Sequence, residues 1–156
     1  MESRVPLVSI NIPCYHQVIA ARRCVDAMLA QTCGDFMITL IDDGASDEYR
    51  SMAESFGDAR VRYQRNPKRL GAMRNMFTAI TAGPGKYTLA FHEDDLIGPH
   101  YLATAVAVLE GDRSCGFVGG ELREFAEPPA PDLLGRQAAD PRVDRFAAPA
   151  DFLRRE

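Results

Sequence analysis

Residues 36–47 of the chain, which read FMITLIDDGASD, contain the pattern that decides the fold. The apolar run 36–41 predicts a buried strand, which stops where Asp42 and Asp43 begin a turn. Ser46 is predicted to be the N-cap of a short helix that follows directly, because its side chain can accept a hydrogen bond from the first helical turn. A buried strand that leads at once into a helix is typical of α/β proteins.

The same alternation continues in both directions along the chain. Further strand patterns lie at residues 8–12, 61–63, 87–91, 117–118 and 121–125, and helical patterns lie at 17–31, 71–82 and 99–109. Pro13 is predicted to end the first strand, because proline has no N–H group for a ladder hydrogen bond. One face of the helix at 71–82 is apolar and consists of Met73, Met76, Phe77 and Ile80. The alternation predicts a three-layer α/β/α sandwich with a mainly parallel sheet.

Composition and charge restrict the class of protein. The chain has 156 residues, of which 46% are hydrophobic and 26% charged, a balance typical of a globular domain. The net charge of −4 disfavours general binding to nucleic acid, whose phosphate backbone selects basic proteins. No apolar run reaches the roughly 18–20 residues that span a bilayer, so no transmembrane segment is predicted. We expect a cytoplasmic protein, with a peripheral membrane association left open for a longer polypeptide.

The proline distribution predicts a division of the chain near residue 127. Prolines occupy positions 128, 129, 131, 141 and 149, and the hydrophobic periodicity is lost in this region. We therefore expect a compact α/β domain at residues 1–126 and a proline-rich extension at 127–156.

Motifs for several other chemistries are missing from the sequence. The four cysteines lack the spacing of a metal site and are predicted to be free thiols. There is no phosphate loop of the form GxxxxGK[ST], and the glycines at 83 and 85 precede a strand instead of opening a helix. A GxSxG nucleophile motif is also missing.

Three polar clusters follow predicted strands and are expected to share one edge of the sheet. They are residues 13–16, 42–44 and 92–95. In an open α/β sheet, ligands bind beyond the carboxyl ends of the strands. Glu93, Asp94 and Asp95 repel one another unless a cation lies among them, and their oxygen atoms suit Mg²⁺ or Mn²⁺. The alternative is a solvated acidic turn before the helix at 99–109.

Two further charged groups each allow two interpretations. Asp42 and Asp43 could accept hydrogen bonds from a nucleobase or a ribose, or they could serve only turn formation and capping. Six basic side chains crowd one segment of this acidic chain: Arg60, Arg62, Arg65, Lys68, Arg69 and Arg74. They form a solvated basic face, or one or two of them lie over a diphosphate or a base.

Four ordered blocks resemble the family 2 inverting glycosyltransferases, which have the GT-A fold of nucleotide-diphospho-sugar transferases. The blocks are VSINIPCY at 8–15, AQT at 30–32 followed by DDGASD at 42–47, Asn66 with GAMRN at 71–75, and the stretch 85–95 that ends in HEDD. The resemblance covers about residues 5–125. It implies the donor-binding portion of an enzyme that transfers a hexosyl group from a nucleoside-diphosphate sugar to an unspecified acceptor, with inversion.

The resemblance also implies which residues bind the nucleotide. Pro13 and Tyr15 would line the base pocket, and Asp43 would hydrogen-bond the base. Arg74 would also reach the nucleotide, and Glu93 would lie near the ribose.

A divalent cation, Mn²⁺ or Mg²⁺, is the cofactor that the resemblance implies. Asp94 would bind it, and it would act as a Lewis acid on the leaving diphosphate. His92 stands where the family motif has its first aspartate, and a neutral imidazole suits these cations less well than a carboxylate does. Asp95 and His92 are further candidates for the metal.

The sequence contains no clear candidate for the general base. Inverting transfer needs a base that deprotonates the acceptor hydroxyl. In the family this carboxylate lies in the acceptor-binding half, and residues 151–155 are similar to the start of a helix leading into that half. We expect the base to lie outside this chain, with Glu121 and Glu124 as the nearby carboxylates.

Two other functions remain open at this point. A non-catalytic nucleotide- or sugar-binding module would bind the donor without transferring the sugar. A nucleotidyltransferase would release pyrophosphate from a nucleoside triphosphate, although the glycine-rich basic loop usual after its first strand is missing here.

Overall fold

The computed structural model describes residues 5–44 and 47–120, which alternate between strands and helices. The strands are β1 (Val8–Cys14), β2 (Phe36–Asp42), β3 (Val61–Arg65) and β4 (Tyr87–Ala90). The helices are α1 (Val18–Leu29), α2 (Glu48–Ser55), α3 (Ala72–Thr81) and α4 (Tyr101–Gly111). The strands form one parallel sheet in the order β3-β2-β1-β4. The predicted α/β fold with a parallel sheet is confirmed.

The strand order creates a switch point beside β1. The chain runs from β1 outward to β2 and β3, and then crosses back so that β4 pairs with the other side of β1. The register runs from Val8 opposite Phe36 to Cys14 opposite Asp42 on one side, and starts with Val8 opposite Tyr87 on the other. Connections diverge at such a point and leave a crevice at the carboxyl ends of the strands. Here the crevice lies between the ends of β1 and β4.

One face of the sheet carries the hydrophobic core. Alternate side chains of β1 and β2 point to this face and are buried, with Ile10, Ile12, Ile38 and Leu40 fully inaccessible to solvent. Helices α1 and α2 cover them with buried residues that include Ala21, Cys24, Val25, Met28, Tyr49 and Met52. Each large apolar side chain buried in this way contributes about 1.5–3 kcal/mol to the free energy of unfolding.

The opposite face of β1 is polar and is contacted by α3. The side chain of Asn11 donates hydrogen bonds to the carbonyl oxygens of Ala79 and Ala82, each at 2.9 Å. Asn75 of α3 donates to the carbonyl oxygen of Ile41 at 3.0 Å. Helix α3 therefore attaches to the sheet through amide side chains, and its buried residues are Asn75 and Ala79.

The apolar face predicted for α3 is turned toward solvent in the described part of the chain. Met73 is 71% exposed, Phe77 61% and Ile80 50%. Helical spacing identifies an apolar stripe but not the neighbour that covers it. In α3 the residues beside the stripe, and not the stripe itself, contact the sheet.

Pro13 does not end β1, contrary to the sequence prediction, because β1 continues to Cys14. In a parallel sheet, successive residues direct their N–H and C=O groups to opposite neighbouring strands. Asn11 directs its carbonyl oxygen toward β4, where it accepts from the N–H of Phe91, so Pro13 faces the same way. Since β4 ends at Ala90, opposite Asn11, the missing N–H of Pro13 costs no ladder hydrogen bond.

Four other expectations differ from the structure or fall outside it. The strand predicted at 117–118 is not formed, and glycines at 116, 119 and 120 flank this segment and weaken strand formation. Ser46 and the segment 121–125 lie outside the described residues, as does the whole of 127–156. None of the helices in the described ranges has the length and apolar character needed to cross a bilayer.

We predict that Gly85→Ala destabilises the fold by about 1–3 kcal/mol, as overpacked sites do. A Cβ atom at residue 85 would lie 2.6 Å from the backbone nitrogen of Ser9 and 2.9 Å from the carbonyl oxygen of Tyr87, so backbone must move. Gly34→Ala is the matched control, because a Cβ atom there meets nothing within 4 Å. Urea denaturation of both variants measures the difference, and equal free energies of unfolding would contradict the prediction.

Candidate functional site

The crevice is organised around the buried side chain of Glu93, which follows β4 and is only 6% exposed. One carboxylate oxygen accepts a hydrogen bond from the backbone N–H of Tyr15 at 2.7 Å, and the other accepts a short hydrogen bond from the Tyr49 hydroxyl. That hydroxyl in turn accepts from the backbone N–H of Gln17 at 2.8 Å. Glu93 thus connects the end of β4 to the β1–α1 loop and to α2.

Burial is the main influence on the pKa values of Glu93 and Tyr49. Burial raises the pKa of Glu93 above its ordinary value, although the hydrogen bonds from Tyr49 and Tyr15 act in the opposite direction. Burial, together with the neighbouring Glu93 carboxylate, raises the pKa of the Tyr49 hydroxyl. The phenol therefore keeps its proton and remains the hydrogen-bond donor to Glu93.

The residues next to Glu93 are more accessible. Asp94 is exposed, and its carboxylate accepts a hydrogen bond from the Gln17 side chain at 3.3 Å. Asp95 is half-buried, and burial together with the charge of Asp94 raises its pKa. His92 is exposed at the start of the same turn, where its carbonyl oxygen accepts from the Asp95 N–H.

This arrangement fits a divalent cation that takes only part of its ligands from the protein. Asp94 and Asp95, consecutive in the turn after β4, offer hard oxygen ligands to Mg²⁺ or Mn²⁺, and Asp94 is exposed. Among the described residues, no three His, Cys, Asp or Glu side chains form a group that could hold a metal by themselves. Such a cation would complete its coordination with water and phosphate oxygens, as Mg²⁺ usually does.

A second buried carboxylate, Asp43, holds the loop 66–71 that connects β3 to α3. Asp43 is 3% exposed and accepts hydrogen bonds from the Asn66 side chain at 3.0 Å and from the N–H groups of Leu70 and Gly71 at 2.7 and 2.8 Å. Burial alone would raise the pKa of Asp43, but these hydrogen bonds and the charge of Arg69 lower it. A carboxylate has about four acceptor positions. Three of these positions are taken by the loop 66–71, so Asp43 holds this loop at the end of β2.

Its neighbour Asp42 is inaccessible to solvent and has a structural role in β2. Its carboxylate accepts from the Tyr63 hydroxyl at 2.7 Å, from Arg65 at 3.0 Å and from the N–H of Gly44 at 3.0 Å. Of the two interpretations open for Asp42, the structure therefore favours turn formation and cross-strand bonding over contact with a ligand.

An aromatic and cationic group borders the crevice. The guanidinium of Arg69 lies 4.5 Å from the centre of the Tyr15 ring, and the His16 ring lies 3.9 Å from it at an angle of 57°. His16 has a positive φ of 69°, a conformation that non-glycine residues adopt rarely and that often marks functional sites. The β1–α1 loop therefore presents Tyr15 at the crevice in a fixed position.

The structure thus brings several predicted site residues together. The backbone N–H of Tyr15 donates to Glu93, and the next residue, Asp94, accepts from the side chain of Gln17, so the ends of β1 and β4 are joined. Pro13 is half-buried in β1, and Arg74 is exposed in the first turn of α3. Glu121 and Glu124 lie outside the described residues.

Three features of this site were not predicted from the sequence. They are the hydroxyl of Tyr49, the contacts of Gln17, and the position of Arg69 beside Tyr15. Tyr49 carries a sequence signal, since a tyrosine on the buried face of a short helix needs a partner for its hydroxyl. Gln17 contributes through its backbone as well as its side chain, and no residue pattern indicates a backbone contact.

Comparison with known proteins agrees with this geometry. The sequence model of the family described as glycosyl transferase family 2 matches residues 9–140. The chain is 37% identical over 97 residues to the glycosyltransferase EpsJ of Bacillus subtilis, covering 60% of this chain and 27% of that protein. It is 38% identical over 100 residues to the chondroitin synthase of Escherichia coli, covering 62% of this chain and 14% of that protein. The chain spans less than a third of the length of each of these relatives.

Solved structures share the fold. The mannosyltransferase PcManGT of Pyrobaculum calidifontis, in complex with GDP-Man and Mn²⁺, has a TM-score of 0.58 at 18% identity, covering 69% of this chain and 33% of that one. Staphylococcus aureus TarS 1–349 in complex with UDP-GlcNAc has a TM-score of 0.58 at 17% identity, covering 67% and 31%. The GT-A fold expected from the sequence is confirmed, and because the family model matches most of its length, the chain belongs to glycosyl transferase family 2.

Proposed function

We propose that the crevice binds the nucleoside-diphosphate part of a sugar donor, and that the chain is the donor-binding portion of a metal-dependent, inverting glycosyltransferase. The observation that carries this proposal is the pairing of buried Glu93 with exposed Asp94 at the switch point of the sheet. One carboxylate fixes the β1–α1 loop, and the next faces the space where ligands of open α/β sheets bind. The similar structures of PcManGT and TarS were solved with GDP-Man and UDP-GlcNAc.

The nucleoside would lie at the β1 side of the crevice. Pro13 and Tyr15 provide an apolar and an aromatic surface against which a base can stack. We assign to Asp43 a hydrogen bond from a base N–H and to Arg74 a guanidinium contact with the nucleotide. The oxygens of Glu93 already accept from Tyr15 and Tyr49, so a ribose hydroxyl would use a remaining lone pair.

The diphosphate would lie at the Asp94 side. Asp94 is the ligand we assign to Mn²⁺ or Mg²⁺, and Asp95 or His92 is the second candidate. When bound, the cation supplies positive charge to the leaving diphosphate. The Gln17 side chain, which donates to Asp94, would orient that carboxylate in the manner usual for groups behind a metal ligand.

We assign binding and activation of the acceptor to residues other than those that the structure describes. The acceptor hydroxyl attacks the anomeric carbon as the bond to the diphosphate breaks, and a general base removes its proton. The expectation of a base outside this chain, with Glu121 and Glu124 as the nearby carboxylates, stays a prediction, and residue 126 stays the predicted end of the donor-binding domain.

We predict that Asp94→Asn weakens the Mn²⁺-dependent binding of UDP or GDP by about 10- to 100-fold or more, because even groups behind a metal ligand have effects of this size. Isothermal titration calorimetry with and without Mn²⁺ measures the change. Asp26→Asn, which removes an exposed carboxylate from α1, is the control and should bind like the unchanged chain. Equal affinities with and without Mn²⁺ in the unchanged chain would refute metal-dependent binding.

A second measurement distinguishes an enzyme from a module that only binds. Hydrolysis of the sugar donor by this chain, abolished by Asp94→Asn, would identify an enzyme.

We predict that Asp43→Asn lowers the free energy of unfolding at pH 7 by about 2 kcal/mol, since the amide lacks the charge that strengthens the hydrogen bonds from Leu70 and Gly71, and its N–H₂ group replaces the acceptor of one of these two N–H groups. The folded-state pKa of Asp43 is lowered, so its stabilisation is present above the ordinary aspartate pKa of about 3.9. It is lost as the pH falls through the folded-state pKa. Urea denaturation at pH 7 and pH 3 should therefore show a smaller difference between the two proteins at pH 3. A difference that stays constant would show that the charge on Asp43 does not matter.

A further inference from the structure

Helix α3 carries a row of large apolar side chains on the side that faces away from the sheet. Met73, Phe77 and Ile80 follow one another at helical spacing, and each is at least half exposed in the described part of the chain. We call these three residues the α3 stripe. Asn75 and Ala79, the buried residues of the helix, lie on its opposite side against the sheet. Neighbouring apolar side chains that stay exposed in this way mark a surface that contacts another molecule.

The segment that contains α3 differs in charge from the rest of the chain. Residues 59–92 include seven of the 18 basic residues and no aspartate or glutamate, although the whole chain has a net charge of −4. Arg62 and Lys68 of this segment are exposed, and neither forms an ion pair with a described residue. The stripe therefore belongs to a positively charged part of an acidic molecule.

Arg62 lies on the face of the sheet that α3 covers. The strand register places Asn11 of β1 opposite Thr39 of β2, and Thr39 opposite Arg62 of β3. Residues that lie opposite one another in a sheet direct their side chains to the same face, and Asn11 donates its hydrogen bonds to α3. Lys68 lies in the loop 66–71, which leads into the helix. One side of the molecule thus combines the α3 stripe with unpaired cations.

The surface of an anionic lipid bilayer matches this combination. The apolar side chains of an interfacial helix enter the boundary between headgroups and acyl chains, while lysine and arginine beside them attract anionic lipids. Duplex nucleic acid would match the cations but has no apolar layer for the stripe. A protein groove that encloses a helix would need access around α3, whose other side is attached to the sheet through Asn11 and Asn75. A flat bilayer needs only the outer side.

We propose that the α3 stripe, together with Arg62 and Lys68, is a docking surface for an anionic lipid bilayer. Helix α3 lies parallel to the bilayer plane, and its three apolar side chains enter the headgroup boundary. Because the inserted surface is small, the attachment is reversible and depends on the basic residues as a second contribution. This proposal goes beyond the proposed function and does not rest on it.

The test is flotation of the full chain with lipid vesicles, without nucleotide or metal. Vesicles of phosphatidylglycerol and phosphatidylcholine in equal parts are expected to bind the chain, less so at high salt, and vesicles of phosphatidylcholine alone are expected to bind it more weakly. Phe77→Ser is expected to weaken binding to the anionic vesicles by about 10-fold, because it removes a large apolar side chain from the boundary. Arg62→Gln and Lys68→Gln are each expected to weaken it by about fivefold.

Matched control variants lie on α1, which covers the other face of the sheet. Ile19→Ser removes an exposed apolar side chain and Arg23→Gln removes an exposed charge, and both are expected to bind like the unchanged chain. Equal losses in the α3 variants and these controls would overturn the proposal. So would an unchanged chain that binds neither kind of vesicle, or that binds both equally at every salt concentration.

Two further measurements separate the bilayer from other partners of the stripe. Urea denaturation of Phe77→Ser is expected to give the free energy of unfolding of the unchanged chain. A loss typical of a buried phenylalanine would instead mean that another segment of this chain covers the stripe. Analytical ultracentrifugation is expected to detect no dimer that Phe77→Ser dissociates, since such a dimer would assign the stripe to a second copy. Either of these results overturns the assignment to a bilayer.

Discussion

The buried carboxylate of Glu93 is the interaction on which the geometry of the crevice depends. A carboxylate that is 6% exposed must be compensated by hydrogen bonds, and here the backbone of Tyr15 and the hydroxyl of Tyr49 provide them. These two donors belong to the β1–α1 loop and to α2, whereas the acceptor belongs to the end of β4. One side chain therefore fixes the relative positions of three segments that adjoin the crevice.

A second buried carboxylate has a similar role at the end of β2. Asp43 is buried and holds the loop 66–71, as Glu93 is buried and holds the β1–α1 loop. In both places a carboxylate at a strand end orders the backbone of a neighbouring loop. Asp94, which follows Glu93, and Arg69, which lies in the loop that Asp43 holds, remain exposed and have opposite charges.

The sequence allowed the alternation of strands and helices and the parallel sheet to be predicted, because both follow from local patterns. Apolar runs such as 36–41 mark parallel strands, and the polar clusters that follow them must share one edge of the sheet. The prediction that Pro13 ends β1 was wrong, because the effect of a proline depends on which neighbouring strand its missing N–H would face. The exposure of Phe77 and the role of Tyr49 depend on tertiary neighbours, which the periodicity of a helix does not specify. Asp42 and Asp43 are adjacent in sequence, but their partners come from β3 and from the loop 66–71, and only the structure separates their roles.

The crevice also has a place in the order of folding. Glu93 accepts hydrogen bonds from residues 78 and 44 positions earlier in the chain, so β1, α1, α2 and β3 are all synthesised before the acceptor exists. Contacts of such sequence separation form late, because the entropy of closing long loops opposes them. In the described sheet β4 is an edge strand that pairs only with β1. A ligand that binds between β1 and β4 would stabilise this last strand by mass action, so occupancy of the crevice and completion of the fold are thermodynamically coupled.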